Sequence, residues 1–226
     1  MPAGVCDSVL PILTDRAFHF HSRSLVWAAM TARLNIVPDP GFMELKPVLV
    51  EKLERIASNI HVEEFSALLD PLMRQLLDQG FREAGADEGT VWLVDALGEH
   101  LVPAHNTGPR AKELVGKFKQ PLSAGLVCMV FASEQPFVEN EVWKNERQSK
   151  LLDSRLQQRT SAMIAVPFYF MRDCRGVISC VQLQAGESAK AGFQQPDLAR
   201  VQRTATVVSR LIELRLLSQA VGWSCE

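Results

Sequence analysis

From Phe42 onward the chain switches between two apolar periods, and each switch marks a new element. Leu45, Leu49, Leu53, Ile56 and Ile60 recur every three or four residues, the spacing of one apolar stripe on a helix. Glu51-Lys52 and Glu54-Arg55 fill its other faces. Pro47 is assigned to the first turn of this helix, where its missing N–H breaks no bond. A wider apolar face follows over residues 62–82, built by Phe65, Leu68, Leu69, Leu72, Met73, Leu76 and Leu77. Pro71 interrupts it. A mid-helix proline costs about 3 kcal/mol, so the segment is predicted to kink or restart at Asp70 acting as an N-cap.

At Thr90 the period becomes that of a strand. Asp95-Ala96-Leu97-Gly98 is a predicted hairpin turn, returning through His100-Leu101-Val102-Pro103-Ala104-His105, with an edge or bulge at Pro103. A short helix is predicted within 109–119, another over 125–133, and a short strand at Phe137-Val138. Residues 143–158 are polar and helix-prone and read as a surface helix or lid. Strands over 162–171 and 176–184 follow, joined by the tight turn Arg172-Asp173-Cys174-Arg175. A last helix opens near Pro196-Asp197 and runs to about Ala220, with Leu198, Val201, Ala205, Val208 and Leu216 repeating. Before all this, residues 17–34 have a helical pattern, broken by Val37-Pro38-Asp39-Pro40-Gly41.

These elements predict an α+β fold, a central antiparallel sheet with its helices on one side. The chain divides into an N-terminal, partly helical extension (1–41), an amphipathic linker or dimerisation helix (42–61), the sheet domain (62–220) and a tail (221–226). The linker and the last helix (197–220) are expected to pair with those of a second copy as a four-helix bundle.

Composition narrows the function class. A net charge of −2 over 226 residues supplies no basic footprint, so no nucleic-acid or membrane partner is expected. No run reaches eighteen apolar residues, and Met1-Pro2-Ala3-Gly4-Val5-Cys6-Asp7 lacks the basic-then-apolar layout of a secretory signal. Five cysteines without a Cys-x-x-Cys pair fit the reducing cytoplasm.

Candidate chemistry is sparse. His19 and His21, with Cys6 and Asp15 upstream, lack the second ligand cluster that zinc needs. Cys128 follows Gly125 near a helix start, a position that can activate a thiol, but a buried structural cysteine is the expectation. No Gly-x-Ser-x-Gly turn or phosphate loop occurs. No catalytic or metal residue is assigned, and the chain is expected not to be an enzyme.

Five landmarks carry a family resemblance. Thr90-Val91-Trp92-Leu93-Val94-Asp95, Ser123-Ala124-Gly125-Leu126-Val127, Gln135-Pro136-Phe137-Val138, Ala165-Val166-Pro167-Phe168 and Gly176-Val177-Ile178 stand in an order and spacing that resembles a GAF domain. The resemblance spans about 68–217 and implies a PAS-related sheet whose ligand pocket lies against the connection over 106–160. It assigns Leu126, Val127, Trp143, Thr160, Met163 and Ser179 to ligand binding. A regulatory, homodimeric sensor of a small molecule is implied, its signal passing through terminal helices to an output domain or partner protein. The ligand and any cofactor are left unnamed.

Three specialised branches of the family fit less well. The free methionine sulfoxide reductases share a cysteine at the place of Cys128. Their catalytic cysteine would fall near Gln148-Ser149-Lys150-Leu151-Leu152, where this chain has none. Cyclic-nucleotide binders are matched at Thr160, Phe193 and Asp197, but Gln182-Leu183 replaces their Asn-Lys and Leu198 their glutamate. Bilin binders need a Cys-His pair, which is missing. A ligand-free dimerisation scaffold is the remaining alternative.

Overall fold

The computed structural model describes residues 37, 39–184 and 191–223. It divides into two compact units, Met1–Glu44 and Leu45–Glu226. The helix predicted over 17–34 and the paired histidines lie outside the described residues. In the first unit, Asp39 Oδ1 accepts the Gly41 N–H at 2.8 Å, and Pro40-Gly41, predicted as part of a turn, instead open a helix.

The second unit carries the fold. Helix α1 (Pro40–Ser58) buries Leu53 and Ala57 in it. It begins two residues before the predicted start at Phe42, so Pro47 falls inside the helix rather than in its first turn. The flanking residues are exposed, which lets water take the carbonyl that Pro47 cannot serve.

The break at Pro71 is where the sequence places it. Helix α2 (Val62–Leu68) ends, and α3 (Pro71–Glu83) starts afresh with proline in its first turn. Asp70 caps α3 by accepting the Met73 N–H at 2.8 Å, and its other oxygen receives Arg215 at 3.2 Å. Asp70→Ala removes both, and is expected to lower unfolding stability by about 1 kcal/mol, read from the urea midpoint. A loss below about 0.3 kcal/mol would show that water caps this helix equally well.

Six strands make one sheet in the order β3-β2-β1-β6-β5-β4: β1 (Glu88–Val94), β2 (His100–Asn106), β3 (Gln120–Pro121), β4 (Phe137–Glu139), β5 (Thr160–Phe170) and β6 (Asp173–Leu183). Every neighbouring pair is antiparallel. The bulge predicted at Pro103 is present: Val91 faces His105 while Trp92 faces Pro103, leaving Ala104 unpaired.

The β5–β6 hairpin turns earlier than predicted. Its two-residue turn is Met171-Arg172, with φ of 51° and 75°, and Asp173, Cys174 and Arg175 already belong to β6. Two left-handed residues are what a tight hairpin demands. The Met171 N–H also donates to Glu213 Oε1 at 3.0 Å, pinning the turn to α7 (Gln195–Ala220).

The helices lie on both faces of the sheet, not on one. On the first face, α1, α2, α3 and α7 cover Val91, Leu93, Ile164, Val166, Phe168 and Ile178. Phe65 of α2 meets Phe168 edge-on with ring centroids 6.0 Å apart and stacks on Phe170 at 6.3 Å. The second face, with Trp92, Leu101, Met163, Ala165 and Val177, is covered by shorter pieces: α4 (Ala111–Leu114), α5 (Leu126–Ser133), a 3-10 turn (Val142–Lys144) and α6 (Leu151–Leu156).

The polar stretch 143–158 is therefore not one helix. Asn145 diverts it, because its side-chain oxygen accepts the Arg147 N–H at 3.0 Å and its carbonyl accepts the Gln148 N–H. Such local bonds favour turns over helix.

Candidate functional site

Strand alternation sends Val91 and Leu93 into the helix-side core and Trp92 to the opposite face. There the indole N–H donates to the Ser179 hydroxyl at 2.9 Å, and the ring meets Phe118 edge-on at 6.1 Å. Helix α5 starts just beyond Gly125 and presents Leu126 and Val127 to the same region, while Met163 faces it from β5. Gln120 donates to the Ala124 carbonyl at 2.8 Å and fixes the turn leading into α5.

Trp92, Gln120, Gly125, Leu126, Val127 and Met163 line a small, half-open inner cavity of about 30 Å³, together with Gln148, Ser149 and Leu152. That volume holds about one water molecule. Outside it lies a cleft of about 410 Å³ lined by Ser123, Cys128, Met129, Ala132 and Arg147. The two spaces share Gly125, Gln148 and Ser149 as a common wall.

Of the six residues assigned from sequence, Leu126, Val127 and Met163 line the inner cavity. Ser179 stands behind it as the acceptor that orients Trp92. Thr160 is buried, and its hydroxyl and N–H both donate to Asp153, at 2.8 and 3.1 Å. Trp143 sits in the 3-10 turn, half-buried, with the Arg159 guanidinium 5.6 Å from its ring centroid. Trp92, Gln120, Gly125, Gln148, Ser149 and Leu152 complete the lining without having been assigned. Trp92 was within reach of the sequence, as the large aromatic at the alternate position of an apolar strand.

The profile of the GAF domain matches residues 68–212, well over half of the 226-residue chain. The chain belongs to the GAF family. Solved structures agree on the fold. The GAF domain of a phosphoenolpyruvate-protein phosphotransferase from Coxiella burnetii is 16% identical with a TM-score of 0.53, over 77% of this chain and 97% of that one. The GAF-B domain of DevS from Mycobacterium smegmatis is 19% identical with a TM-score of 0.51, over 67% and 99%. A type II free methionine-R-sulfoxide reductase from Thermoplasma acidophilum is 17% identical with a TM-score of 0.50, over 68% and 96%. No curated protein matches the chain significantly.

In this GAF domain Cys128 is a buried thiol on α5 that donates to the Pro121 carbonyl at 3.3 Å. Burial pushes its pKa up to about 11, so it is protonated at neutral pH and a poor nucleophile. The Gln148-Ser149 wall brings no second thiol to it. Cys180, on β6, is wholly buried in the helix-side core, and burial pushes its thiol up as well. Among the described residues, no three His, Cys, Asp or Glu side chains form a group that could hold a metal ion. Nor is any described helix long and apolar enough to cross a membrane.

A separate titratable group sits where β2 of the GAF domain meets α3. His105 Nε2 lies 3.2 Å from Asp78 Oδ1. Burial depresses the His105 pKa below its ordinary 6.5, outweighing the upward pull of Asp78, and Arg74 depresses it further. The folded state therefore binds fewer protons here than the unfolded chain. The resulting stability is present above about pH 6.5 and is lost as pH falls through the lower, folded value. Glu88, raised chiefly by burial, has the opposite sign, so the wild type should be compared with a variant. His105→Gln is expected to flatten the loss of stability between about pH 7 and pH 5, measured by urea unfolding at each pH. Parallel curves for the two proteins would remove His105 as the cause.

Proposed function

We propose that this GAF domain is a regulatory, non-enzymatic sensor in the cytoplasm, which takes a small molecule between α5 and the segment 145–152. The carrying observation is that the inner cavity and the neighbouring cleft share lining residues: Gly125, Gln148 and Ser149 line both. Segment 145–150 has no regular hydrogen-bond ladder, so its outward movement merges the two into a pocket of ligand size. The inner walls are apolar apart from Gln120, Gln148 and Ser149, which suits a ligand held by shape and a few polar contacts.

The signal leaves through α1 and α7 of a homodimer. Leu45, Val48 and Ile56 of α1 and Val207 and Leu214 of α7 are exposed apolar side chains, the material of a helical interface. The occurrence of this fold in DevS and in a methyl-accepting chemotaxis protein fits such a role. An output domain or partner protein would receive the signal.

A second reading is favoured by the size of the inner cavity. A space for one water is what a domain retained as a dimerisation scaffold would have, its pocket closed by side chains. Native mass spectrometry of the purified, untreated protein separates the two. Extra non-covalent mass on each protomer of a dimer is the expected result. A bare dimer that gains no mass from a metabolite extract favours the scaffold, and a monomer refutes the dimer in both readings.

A further inference from the structure

Asn140 grips the start of α7. Its side-chain oxygen accepts the Phe193 N–H at 2.7 Å, and its amide donates to the Phe193 carbonyl at 3.0 Å. One side chain thus satisfies both backbone groups of a residue 53 positions away, as a neighbouring strand would. Gly192 makes the approach possible: its φ is +74°, and a Cβ there would stand 2.7 Å from the Asn140 amide carbon. The Phe193 ring is buried in the helix-side core. At the next residue, the Gln194 N–H donates to Asp197 at 2.9 Å and α7 begins. The grip therefore sets where α7 starts.

Asn140 itself belongs to a braced segment on the pocket side. The Glu139 carboxylate accepts the Glu141 N–H at 3.0 Å and the Asn145 side-chain amide at 2.9 Å. Lys144 reaches Glu141 at 2.6 Å. Within this segment Val142 is fully buried, in the same core as Leu126, Val127 and Met163. Residues 139–145 thus place one side chain in the pocket-side core and another on the entry to α7. Any widening of the pocket that displaces Val142 must carry Asn140 with it or break the brace.

We propose that Asn140 is the positioning residue through which the pocket-side core biases α7. The proposal rests on the sensor reading above, in which α7 carries the signal. A competing route runs through β5, on which α7 also packs, and it needs no Asn140. Coupling along either route has to be demonstrated by non-additivity.

The experiment needs no ligand. Val142→Ala loosens the pocket side, Asn140→Ala removes the grip, and the two are combined. Amide exchange is followed by mass spectrometry over 198–202 in the second turn of α7, with 210–220 as the control for global loosening. Val142→Ala alone is expected to speed exchange over 198–202 at least about twofold, leaving 210–220 unchanged. In the Asn140→Ala background, Val142→Ala is expected to add nothing. Multiplying fold-changes in the double variant, or no effect of Val142→Ala on α7, overturns the proposal. Should Asn140→Ala not fold, Asn140→Asp keeps the side-chain volume but turns an oxygen toward the Phe193 carbonyl, and must show the same non-additivity. Native mass spectrometry showing no bound small molecule would sink the sensor reading, whereas loss of non-additivity sinks only the role given to Asn140, so the two failures are distinguishable.

Discussion

Gly176→Ala is expected to yield little or no folded protein. Gly176 lies on β6 between two long neighbours, facing Leu93 of β1 and Phe168 of β5. A Cβ at this position would stand 1.8 Å from the Trp92 carbonyl oxygen and 3.1 Å from the Leu93 Cα. Both obstacles are backbone, so no rotamer change relieves them. The β1–β6 ladder would have to separate at the centre of the sheet, with Val91, Leu93 and Ile178 of the helix-side core moving with it. A loss above about 4 kcal/mol belongs to this class of change. Circular dichroism and urea unfolding at a fixed protomer concentration provide the check, because dimerisation would itself add stability. A loss under about 1 kcal/mol would mean that β1 and β6 approach less closely than described.

The same glycine shows what the sequence made legible. Gly176-Val177-Ile178 marks the family because the strand must pass close to Trp92. The restart at Asp70-Pro71 and the bulge beside Pro103 were readable for a similar reason, since proline removes a donor and the chain must answer locally. The turn at Met171-Arg172 was not readable. Neither residue favours a left-handed backbone, and the turn is held from a distance by Glu213. The second helical layer also has a signal in the sequence. β5 is nearly continuously apolar from Ala162 to Phe168, which is how a strand covered on both faces reads. The site was half legible. Leu126 and Val127 stand in a family landmark and Met163 at the start of the strand beside the implied pocket, whereas Ser149 and Leu152 belong to the irregular stretch that Asn145 diverts.

Trp92 is where fold and candidate site meet, and Trp92→Ala is expected to cost about 3–5 kcal/mol of unfolding stability. Its side chain is 3% exposed, its N–H is satisfied by Ser179, and its ring packs on Phe118. Truncation removes the largest apolar surface on the pocket face and leaves the buried Ser179 hydroxyl without its donor. Trp92→Phe isolates the second effect, since most of the packing stays. Its cost is expected to be about 1–3 kcal/mol. Urea unfolding of both variants reads the difference, and equal losses would mean that the Ser179 bond, not the packing, governs this face. The larger hole also bears on function. The space left by the indole is bordered by Leu126, Val127, Leu152 and Met163, so benzene is expected to raise the midpoint of Trp92→Ala but not of the wild type. A wild type that responds equally would mean that the wall formed by Gln148 and Ser149 already opens in solution. That movement is the one a sensor needs and a closed scaffold does not.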